Sequence, residues 1–405
     1  MEKVKLRGVV VAAALALLAL LATVAPGGGG NASLRQQSTA AAGTEAKATS
    51  SGTGLLVFCA FGSYANYFLI ALASLERFAP DALVAVMADA RVEDDLKLSL
   101  TSAPTTLRVR IYRYGALLLA SNSSGAGLMV DRYIVLPLLL EDFADGNVIK
   151  QKPSESGVVA WETKSFSLMA SSSRIAFAGM FDTRDLVFQG DPFQPLREAA
   201  VGLTPQIQGV LALALESQHV PIGSCPFNRK WVTDGFGNDA AKAVATFRIC
   251  NSGSLLGSLL SLRDFVKFVM TPAIAYAVGK FGNKQPNLDQ GTLTFVGPAI
   301  IAAASMHRTE GGAGRLAAFT ALSGPQDIIV RALQFAARNK ILEASAEGSW
   351  ICTIGYFPAI DVEPVFDNEG YIMSLWEPEK RCRIVHQFDR YPRLNEHFMR
   401  IFERK

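Results

Sequence analysis

The stretch "RIAFAGMFDTRDLVFQGDPF", residues 174–193, decides the fold. The Ile, Ala, Phe and Met residues of its first half predict a β-strand that is covered on both faces. That apolar run ends abruptly at Asp182, and Asp185 follows three positions later. Carboxylates at the end of a buried strand have two interpretations. They cap a turn, or they bind a metal ion.

The segments that precede this stretch alternate between strand and helix patterns. "LLVFCAF" and "DALVAVMADA" are strand-like, and "YANYFLIALASLERF" between them has helical spacing. "LRVRIYRYG" predicts a third strand, and "MVDRYIVLPLLLEDFA" predicts a helix with Pro137 inside it. This order predicts an α/β fold with a mostly parallel sheet flanked by helices. Ligands of such sheets bind beyond the carboxyl ends of the strands, where Asp182 and Asp185 stand.

Two other segments have less regular patterns. Residues 150–166 are polar and predict a surface insertion before the strand that ends at Asp182. Residues 300–348 are rich in Ala and predict helices, with a break at "EGGAG". The sequence contains no internal repeat.

The N-terminal part of the chain differs from the rest. Residues 1–7 are short and basic, and about eighteen uncharged residues follow at 8–25, close to the length that spans a bilayer. A cleaved signal peptide and an uncleaved signal anchor are both compatible with this pattern. Pro26, directly after the candidate cleavage site, favours the anchor. Basic residues before the span predict a cytoplasmic N-terminus and a luminal remainder.

The remainder divides into a tether and one catalytic domain. Residues 26–54 are mostly Gly, Ala, Ser and Thr and predict a flexible stem, and residues 55–405 predict a single globular domain. Asn31 and Asn122 stand in glycosylation sequons, which weakly support a secretory location. The chain has 405 residues and a net charge of only +3, with no basic block, which argues against nucleic-acid binding.

All five cysteines follow the predicted anchor, where an oxidising lumen permits disulfides. Cys59, in an apolar strand, is predicted to be a buried free thiol. The other four are compatible with two pairs, Cys225–Cys250 and Cys352–Cys382, although sequence does not determine the connectivity.

Four segments contain candidate chemistry, and each has a structural interpretation when taken alone. Asp182 and Asp185 suit Mg²⁺ or Mn²⁺; alternatively, Asp182 caps the turn and Asp185 pairs with Arg184 or another base. "ICNSGSLLGS" (249–258) is alone a Gly-containing turn, "PNLDQGTLTF" (286–295) a helix N-cap, and "RIVHQFDRYPRL" (383–394) an apolar run before a packed histidine.

Together, in this order, the segments resemble a eukaryotic group of GT-A-fold glycosyltransferases. The group shares D-x-R-D-x-x-F-Q-x-D-P-F, C-P-x-N-x-x-W, C-x-S-G, D-Q and H-Q-x-D-R-x-P. Here these motifs stand at Asp182–Phe193, Cys225–Trp231, Cys250–Gly253, Asp289-Gln290 and His386–Pro392. The resemblance covers about residues 55–395 and implies a GT-A (Rossmann-like) fold.

The resemblance implies a metal site. The D-x-D motif of the family binds Mn²⁺ (or Mg²⁺) through the diphosphate of a nucleotide sugar. Asp185 matches its second carboxylate, whereas Thr183 occupies the position of the first and Asp182 stands one residue earlier. His386 matches a histidine that completes the metal shell.

The resemblance also implies roles for the remaining motifs. Asp289 and Gln290 match catalytic residues that, in retaining relatives such as glycogenin, lie near the anomeric carbon. Arg132, on the helix before the central strand, is a candidate for phosphate binding or a solvated arginine. The implied donor-binding residues are Asp182, Arg184, Asn251, Ser252, Gly253 and Arg132.

The implied function is transfer of a sugar from a nucleotide-diphosphate donor to a hydroxyl of a glycan or glycoprotein acceptor. It is expected to be metal-dependent and retaining, in a single-pass type II protein of the Golgi or ER membrane. Two alternatives remain: a catalytically silent protein that binds nucleotide or glycan, suggested by Thr183, and a metal-dependent phosphohydrolase. H-E-x-x-H, G-x-S-x-G and Walker A motifs do not occur in the sequence.

Overall fold

The computed structural model describes most of the chain from residue 53 onward. The described ranges are 53–60, 65–88, 90–102, 104–113, 126–144, 158–163, 175–184, 186–216, 219–281, 287–306, 312–345, 350–354, 363–374 and 378–402. The predicted anchor at 8–25, both sequons and Asp185 lie outside them. Within the described ranges, no helix is long and apolar enough to cross a membrane.

One large sheet forms the centre of the fold. Its order is β4-β3-β2-β1-β5-β8-β7-β9. Strands β1, β2, β3 and β5 are mutually parallel, as the alternation of strand and helix patterns predicts. The strands of this sheet are β1 (Thr53–Ala60), β2 (Leu83–Ala88), β3 (Arg108–Arg113), β4 (Val158–Glu162), β5 (Ile175–Asp182), β7 (Gly209–Leu215), β8 (Cys250–Ser258) and β9 (Asn339–Ala344).

Helices cover both faces of this sheet. They are α1 (Ala65–Phe78), α2 (Ala90–Ser102), α3 (Ala126–Ala144), α4 (Gln194–Ala200), α5 (Pro226–Phe236), α6 (Asn238–Val244), α7 (Leu259–Phe265), α8 (Thr271–Phe281), α9 (Leu288–Ser305), α10 (Gly312–Thr320) and α11 (Gln326–Arg338). A π-helical turn, Val266–Met270, joins α7 to α8. Helices α1, α2 and α4 pack on one face, and α3 with α5 to α11 pack on the other.

The pattern of β1 shows why this sheet is buried on both sides. Alternate side chains of a strand point to opposite faces. Leu55, Val57 and Cys59 belong to the core cluster beneath α3 and α9, whereas Leu56 and Phe58 belong to the cluster beneath α1 and α2. A strand that is apolar at every position therefore contributes to two cores. The prediction of a doubly covered β5 is confirmed in the same way.

A second, smaller sheet adjoins the first. It has the order β10-β11-β6, with β6 at Leu186–Phe188, β10 at Ile351–Thr353 and β11 at Ile384–His386. The last helix, α12 (Pro392–Phe402), contributes to the core beneath this sheet. Cys352 and Cys382 form a disulfide within it, with their Cα atoms 5.8 Å apart.

Several sequence predictions are wrong. The polar segment 150–166 contains an edge strand, because β4 pairs antiparallel with β3. The stretch at 249–258 is the buried strand β8 rather than a turn. Residues 300–348 are helical in parts, as predicted, and then continue into strand β9.

One local prediction is confirmed and another is wrong. Residues 286–295 contain a helix N-cap, as predicted: Asn287, with φ of 58°, is the N-cap of α9, and Asp289 lies in the first turn. Cys225 and Cys250 are not bonded to each other. Both are buried thiols outside any disulfide, and so is Cys59, as predicted.

Candidate functional site

A buried arginine lies at the centre of the candidate site. Arg132, on α3, is 1% exposed. Its Nη1 donates to Asp182 Oδ1, and its Nη2 donates to Asp289 Oδ2 at 2.6 Å. Asp182 ends β5 and Asp289 lies in the first turn of α9. One guanidinium thus joins two carboxylates that are 107 residues apart in the sequence.

Strand topology explains why these groups meet. Strand β8 runs antiparallel to β5, with Phe181 opposite Ser254. The first residues of β8 therefore lie just beyond the carboxyl end of β5, beside Asp182. This is the edge of the sheet at which α/β proteins bind ligands.

Gly253 is required at this edge because Asp182 approaches its backbone closely. A Cβ atom at position 253 would lie 2.6 Å from Asp182 Oδ2 and 3.0 Å from Asn251 Oδ1. Real Cβ atoms do not approach oxygen so closely, so any side chain here would displace the carboxylate.

Ser252 connects the strand to the other groups. Its hydroxyl donates to Asp289 Oδ2 at 3.1 Å, and its N–H donates to Gln290 Oε1 at 2.8 Å. Its carbonyl accepts from Arg132 Nη2 at 3.2 Å and from the Tyr133 hydroxyl at 3.0 Å. The backbone of Ser252 is therefore fixed on both its donor and its acceptor side.

Asn251 extends the same network toward β7. Its Oδ1 accepts the Gly253 N–H at 2.8 Å, and its Nδ2 donates to Glu216 Oε1 at 2.8 Å. Glu216 is 4% exposed and was not among the predicted site residues. A signal for it exists, because "GVLALALE" ends in a carboxylate after an apolar strand, as β5 does.

Burial and neighbouring charges both shift the pKa values of groups in the cluster. Burial by itself lowers the pKa of Arg132, but Asp182, Asp289 and the neighbouring Tyr133 outweigh it and hold that pKa above its ordinary value. Burial also raises the pKa of the Cys59 thiol to about 12, against the opposing effect of Arg132. Arg132 is therefore a permanent cation, and Cys59 stays protonated at neutral pH.

The predicted metal ligands are only partly described. Asp182 is bonded to Arg132, and its side chain is 26% exposed. His386 is 2% exposed in β11, opposite Leu186, which follows Asp185 in the sequence. The described residues include no group of three His, Cys, Asp or Glu side chains that could hold a metal ion. They do not by themselves form a metal centre, and Asp185 lies outside them.

Thr183 and Arg184 do not join the Arg132 cluster through the contacts described. Thr183, 2% exposed, donates from Oγ1 to the carbonyl of Cys59 at 3.1 Å. Arg184 donates from Nε to Asp389 Oδ2 at 2.7 Å. That ion pair links the D-x-R-D motif to the H-Q-x-D-R motif, so the half-exposed Arg184 has a structural contact in addition to its predicted role in donor binding.

The second half of the Asp182–Phe193 motif makes contacts that stabilise the fold. Gln189 Nε2 donates to the carbonyls of Ile372 and Cys382, both at 2.9 Å. Asp191 Oδ1 accepts the Phe193 N–H at 2.9 Å. These contacts join the motif to the smaller sheet and to the start of α4.

The arrangement brings together seven of the ten predicted site residues. Arg184 and His386 have other contacts, and Asp185 lies outside the described residues. The seven converge from four segments of the chain into one buried hydrogen-bonded network at the ligand-binding edge of the sheet. They are Arg132, Asp182, Asn251, Ser252, Gly253, Asp289 and Gln290. Carboxylates, amides and a guanidinium on a rigid frame suit a ligand with many hydroxyl groups.

Comparisons with known proteins give a limited likeness. No protein-family model matches the chain, and no curated protein sequence matches it. Among solved structures, the galactosyltransferase LgtC in complex with donor and acceptor sugar analogs has 13% identity and a TM-score of 0.40, covering 86% of this chain and 95% of that chain. An active-site mutant of LgtC has 12% identity and a TM-score of 0.39, covering 86% and 94%.

A third structure covers less of the chain. Core-mannan synthase A of Aspergillus fumigatus, in an Mn/GDP form, has 10% identity and a TM-score of 0.32, covering 60% of this chain and 69% of that chain. All three scores are below 0.5. The α/β assignment above therefore rests on the strand order and not on this likeness.

Proposed function

We propose that the protein is a GT-A glycosyltransferase that moves a sugar from a nucleotide-diphosphate donor to a hydroxyl of a glycan or glycoprotein. The observation that carries the proposal is the network around Arg132. Residues from three of the five motifs, which lie far apart in the sequence, converge with Arg132 on one cluster. Convergence at the carboxyl edge of a parallel sheet is what a binding site in this fold requires.

The proposed roles follow from the contacts. Asn251, Ser252 and Gly253 form the wall against which the donor sugar lies, because small residues let the backbone approach a ligand. Arg132 holds Asp182 and Asp289 at fixed positions. Asp289 faces the reacting carbon and orients the acceptor hydroxyl or stabilises the developing positive charge, with Gln290 fixing the strand beside it. Retention at the anomeric carbon is part of the proposal.

Metal dependence is a further part of the proposal. Asp185, with Asp182 and His386, would hold Mn²⁺ (or Mg²⁺), and the ion would neutralise the charge of the departing diphosphate. Asp182 is already bonded to Arg132, so Asp185 is the primary ligand in this proposal.

The proposed cellular setting rests on the sequence alone. We place residues 1–7 in the cytoplasm, 8–25 in the Golgi or ER membrane, 26–54 in a luminal stem and 55–405 in a luminal catalytic domain. Protease protection of tagged protein in isolated microsomes tests this topology. Digestion of a C-terminal tag without detergent would contradict it.

The experiment for the function is a donor screen. The purified protein is incubated with Mn²⁺ and a panel of sugar nucleotides, and hydrolysis of each donor is measured. Asp185→Ala should abolish turnover with little change in melting temperature, because a metal ligand acts on the donor rather than on the packing of the domain. Full activity in that variant would refute the metal assignment.

Asp191→Ala is a matched control from the same motif. Asp191 accepts the Phe193 N–H and pairs with Arg197, so its loss should lower the melting temperature and leave turnover per folded molecule unchanged. Equal loss of turnover in both variants would show that the motif is structural throughout.

A catalytically silent protein is the second candidate. Thr183 favours it, since its hydroxyl is buried and bonded to the Cys59 carbonyl, where the family motif has a carboxylate. Donor binding by thermal shift without hydrolysis of any donor would support this candidate. Release of phosphate from simple esters, without a sugar nucleotide, would instead indicate a phosphohydrolase.

A further inference from the structure

The motif Cys225–Trp231 has no role in the proposed reaction, yet one of its residues is a buried polar group. Asn228 lies on α5 and is 2% exposed. A buried amide is stable only when its hydrogen-bonding groups have partners. The partners of Asn228 lie largely on α9, directly beside the candidate site.

Asn228 contacts Gln290 through its side-chain oxygen. Oδ1 accepts from Gln290 Nε2 and from Thr294 Oγ1, both at 3.2 Å, while Nδ2 donates to Cys225 Sγ at 3.3 Å. Gln290 Nε2 also donates to the carbonyl of Cys250 at 2.8 Å. The donor end of the Gln290 amide therefore faces a set of fixed acceptors.

The acceptor end of the same amide faces the candidate site. Gln290 Oε1 accepts the Ser252 N–H at 2.8 Å, and the Ser252 hydroxyl donates to Asp289. An amide that rotates by half a turn would present Nε2 to the Ser252 N–H, which is also a donor. The acceptors that hold Nε2 therefore determine whether Ser252 has a partner.

A glycine brings the two helices close enough for this contact. A Cβ atom at Gly291 would lie 2.9 Å from Trp231 Cβ and 3.0 Å from the Trp231 carbonyl carbon and oxygen. Because backbone cannot yield as a flexible side chain does, any larger residue at 291 would push α5 away from α9. The spacing that lets Asn228 reach Gln290 thus depends on Gly291.

We propose that Asn228 is a positioning residue that holds the Gln290 side chain in the one orientation in which it fixes the Ser252 backbone. Through Ser252, it also keeps Asp289 in place. The proposal rests on the proposed function for its catalytic consequence, whereas the orientation of Gln290 is measurable without turnover. It gives the Cys225–Trp231 motif a role that requires no direct contact with a ligand.

The test uses the exchange of a single amide hydrogen. The Ser252 N–H donates to a side chain, so its exchange with solvent deuterium reports on Gln290. Asn228→Leu retains the size of the side chain and removes the acceptor. We expect Ser252 to exchange roughly five- to tenfold faster, the ratio that corresponds to loss of one hydrogen bond, while Leu255 in the paired part of β8 exchanges at the wild-type rate.

Two further variants keep the test informative if Asn228→Leu folds poorly. Gly291→Ala separates the helices without touching either amide, and it should accelerate Ser252 exchange in the same way. Thr294→Val removes a hydroxyl that donates to Asn228 Oδ1 and accepts from Gln290 Nε2 at 3.1 Å, so it should also accelerate Ser252 exchange. Its matched control is Thr292→Val on the same helix, because the buried Thr292 hydroxyl has no hydrogen-bond partner within the part of the chain that the structure describes.

Steady-state kinetics provide a second measurement. If the wild-type protein turns over a donor, Asn228→Leu should lower kcat by roughly tenfold or more with KM for the donor changed less than about twofold, because misplacement affects the reacting groups more than binding. Thr292→Val should retain both constants.

The outcomes separate the two proposals. Wild-type exchange of Ser252 in Asn228→Leu would overturn the positioning role, and so would a uniform acceleration across β8, which would indicate a purely structural residue. Absence of turnover in the wild-type protein would refute the proposed function, whereas the exchange rate of Ser252 would still decide the orientation of Gln290.

Discussion

Replacing Arg132 by Met should destabilise the protein strongly. Met has a similar length but no charge, so the variant leaves Asp182 and Asp289 without their cation. Breaking a buried ion pair by removing one partner costs about 3–5 kcal/mol, since the remaining charge is uncompensated. Asp289 has a side chain only 5% exposed, and it accounts for most of the expected effect.

Asp182 reduces the expected value. Its side chain is 26% exposed, so water can replace part of what Arg132 supplies. We therefore expect a loss of about 3 kcal/mol in the free energy of unfolding at pH 7.

Urea unfolding followed by tryptophan fluorescence measures this loss. Lys242→Met is the control, because Lys242 pairs with Asp239 on the surface, with side chains 76% and 81% exposed, and it should lose well under 1 kcal/mol. A loss below about 1 kcal/mol in Arg132→Met would refute the view of Arg132 as a buried cation between carboxylates.

Three further predictions concern separate parts of the molecule. Gly253→Ala should weaken donor binding, measured by calorimetry, by roughly tenfold, because its Cβ would displace Asp182; unchanged affinity would contradict this. Replacing Cys352 and Cys382 by Ala should lower the free energy of unfolding by roughly 2–4 kcal/mol, and reductant should do the same to the wild-type protein but not to the variant. Hydrogen bonds from two cationic neighbours lower the pKa of Glu93 from 4.5 to about 2. The Glu93→Gln variant should therefore be less stable than wild type above pH 4.5, and the difference in stability should vanish as the pH falls toward 2. A pH-independent difference would exclude that ion pairing as its cause.

Periodicity was sufficient for the parallel half of the fold. Strands β1, β2 and β5 are apolar at nearly every position because both their faces are buried, and such runs are visible in the sequence without knowledge of their partners. The helices α1 and α3 were predicted for a similar reason, and Pro137 inside α3 did not end it.

The strands that were missed have polar residues whose partners are far away in the sequence. Strand β8 begins "CNSGS", a composition typical of turns, and it is a strand because Gln290, Glu216 and Arg132 bind its polar groups. Strand β9 follows α11 without a Gly or Pro between them, so no local signal separates the two.

Prediction of the site was also limited by partners that are far away in the sequence. Sequence motifs selected most of the cluster, but a solvated arginine was an equal interpretation of Arg132, because its burial depends on carboxylates 50 and 157 residues further along the chain. Glu216 was missed since its only signal is its position at the end of an apolar strand. Strand order was needed to show that β7 and β5 end at the same edge of the sheet.

The charge balance of this edge has a consequence for any phosphate-containing ligand. The cluster contains one guanidinium and two carboxylates, and the Glu216 carboxylate lies behind Asn251. Arg132 is already bonded to both aspartates, so they compensate its charge before a diphosphate arrives. Like charges at close range disfavour binding. For the proposed transferase, we therefore expect a diphosphate donor to bind more tightly with a divalent metal ion than without it, even where no chemistry follows.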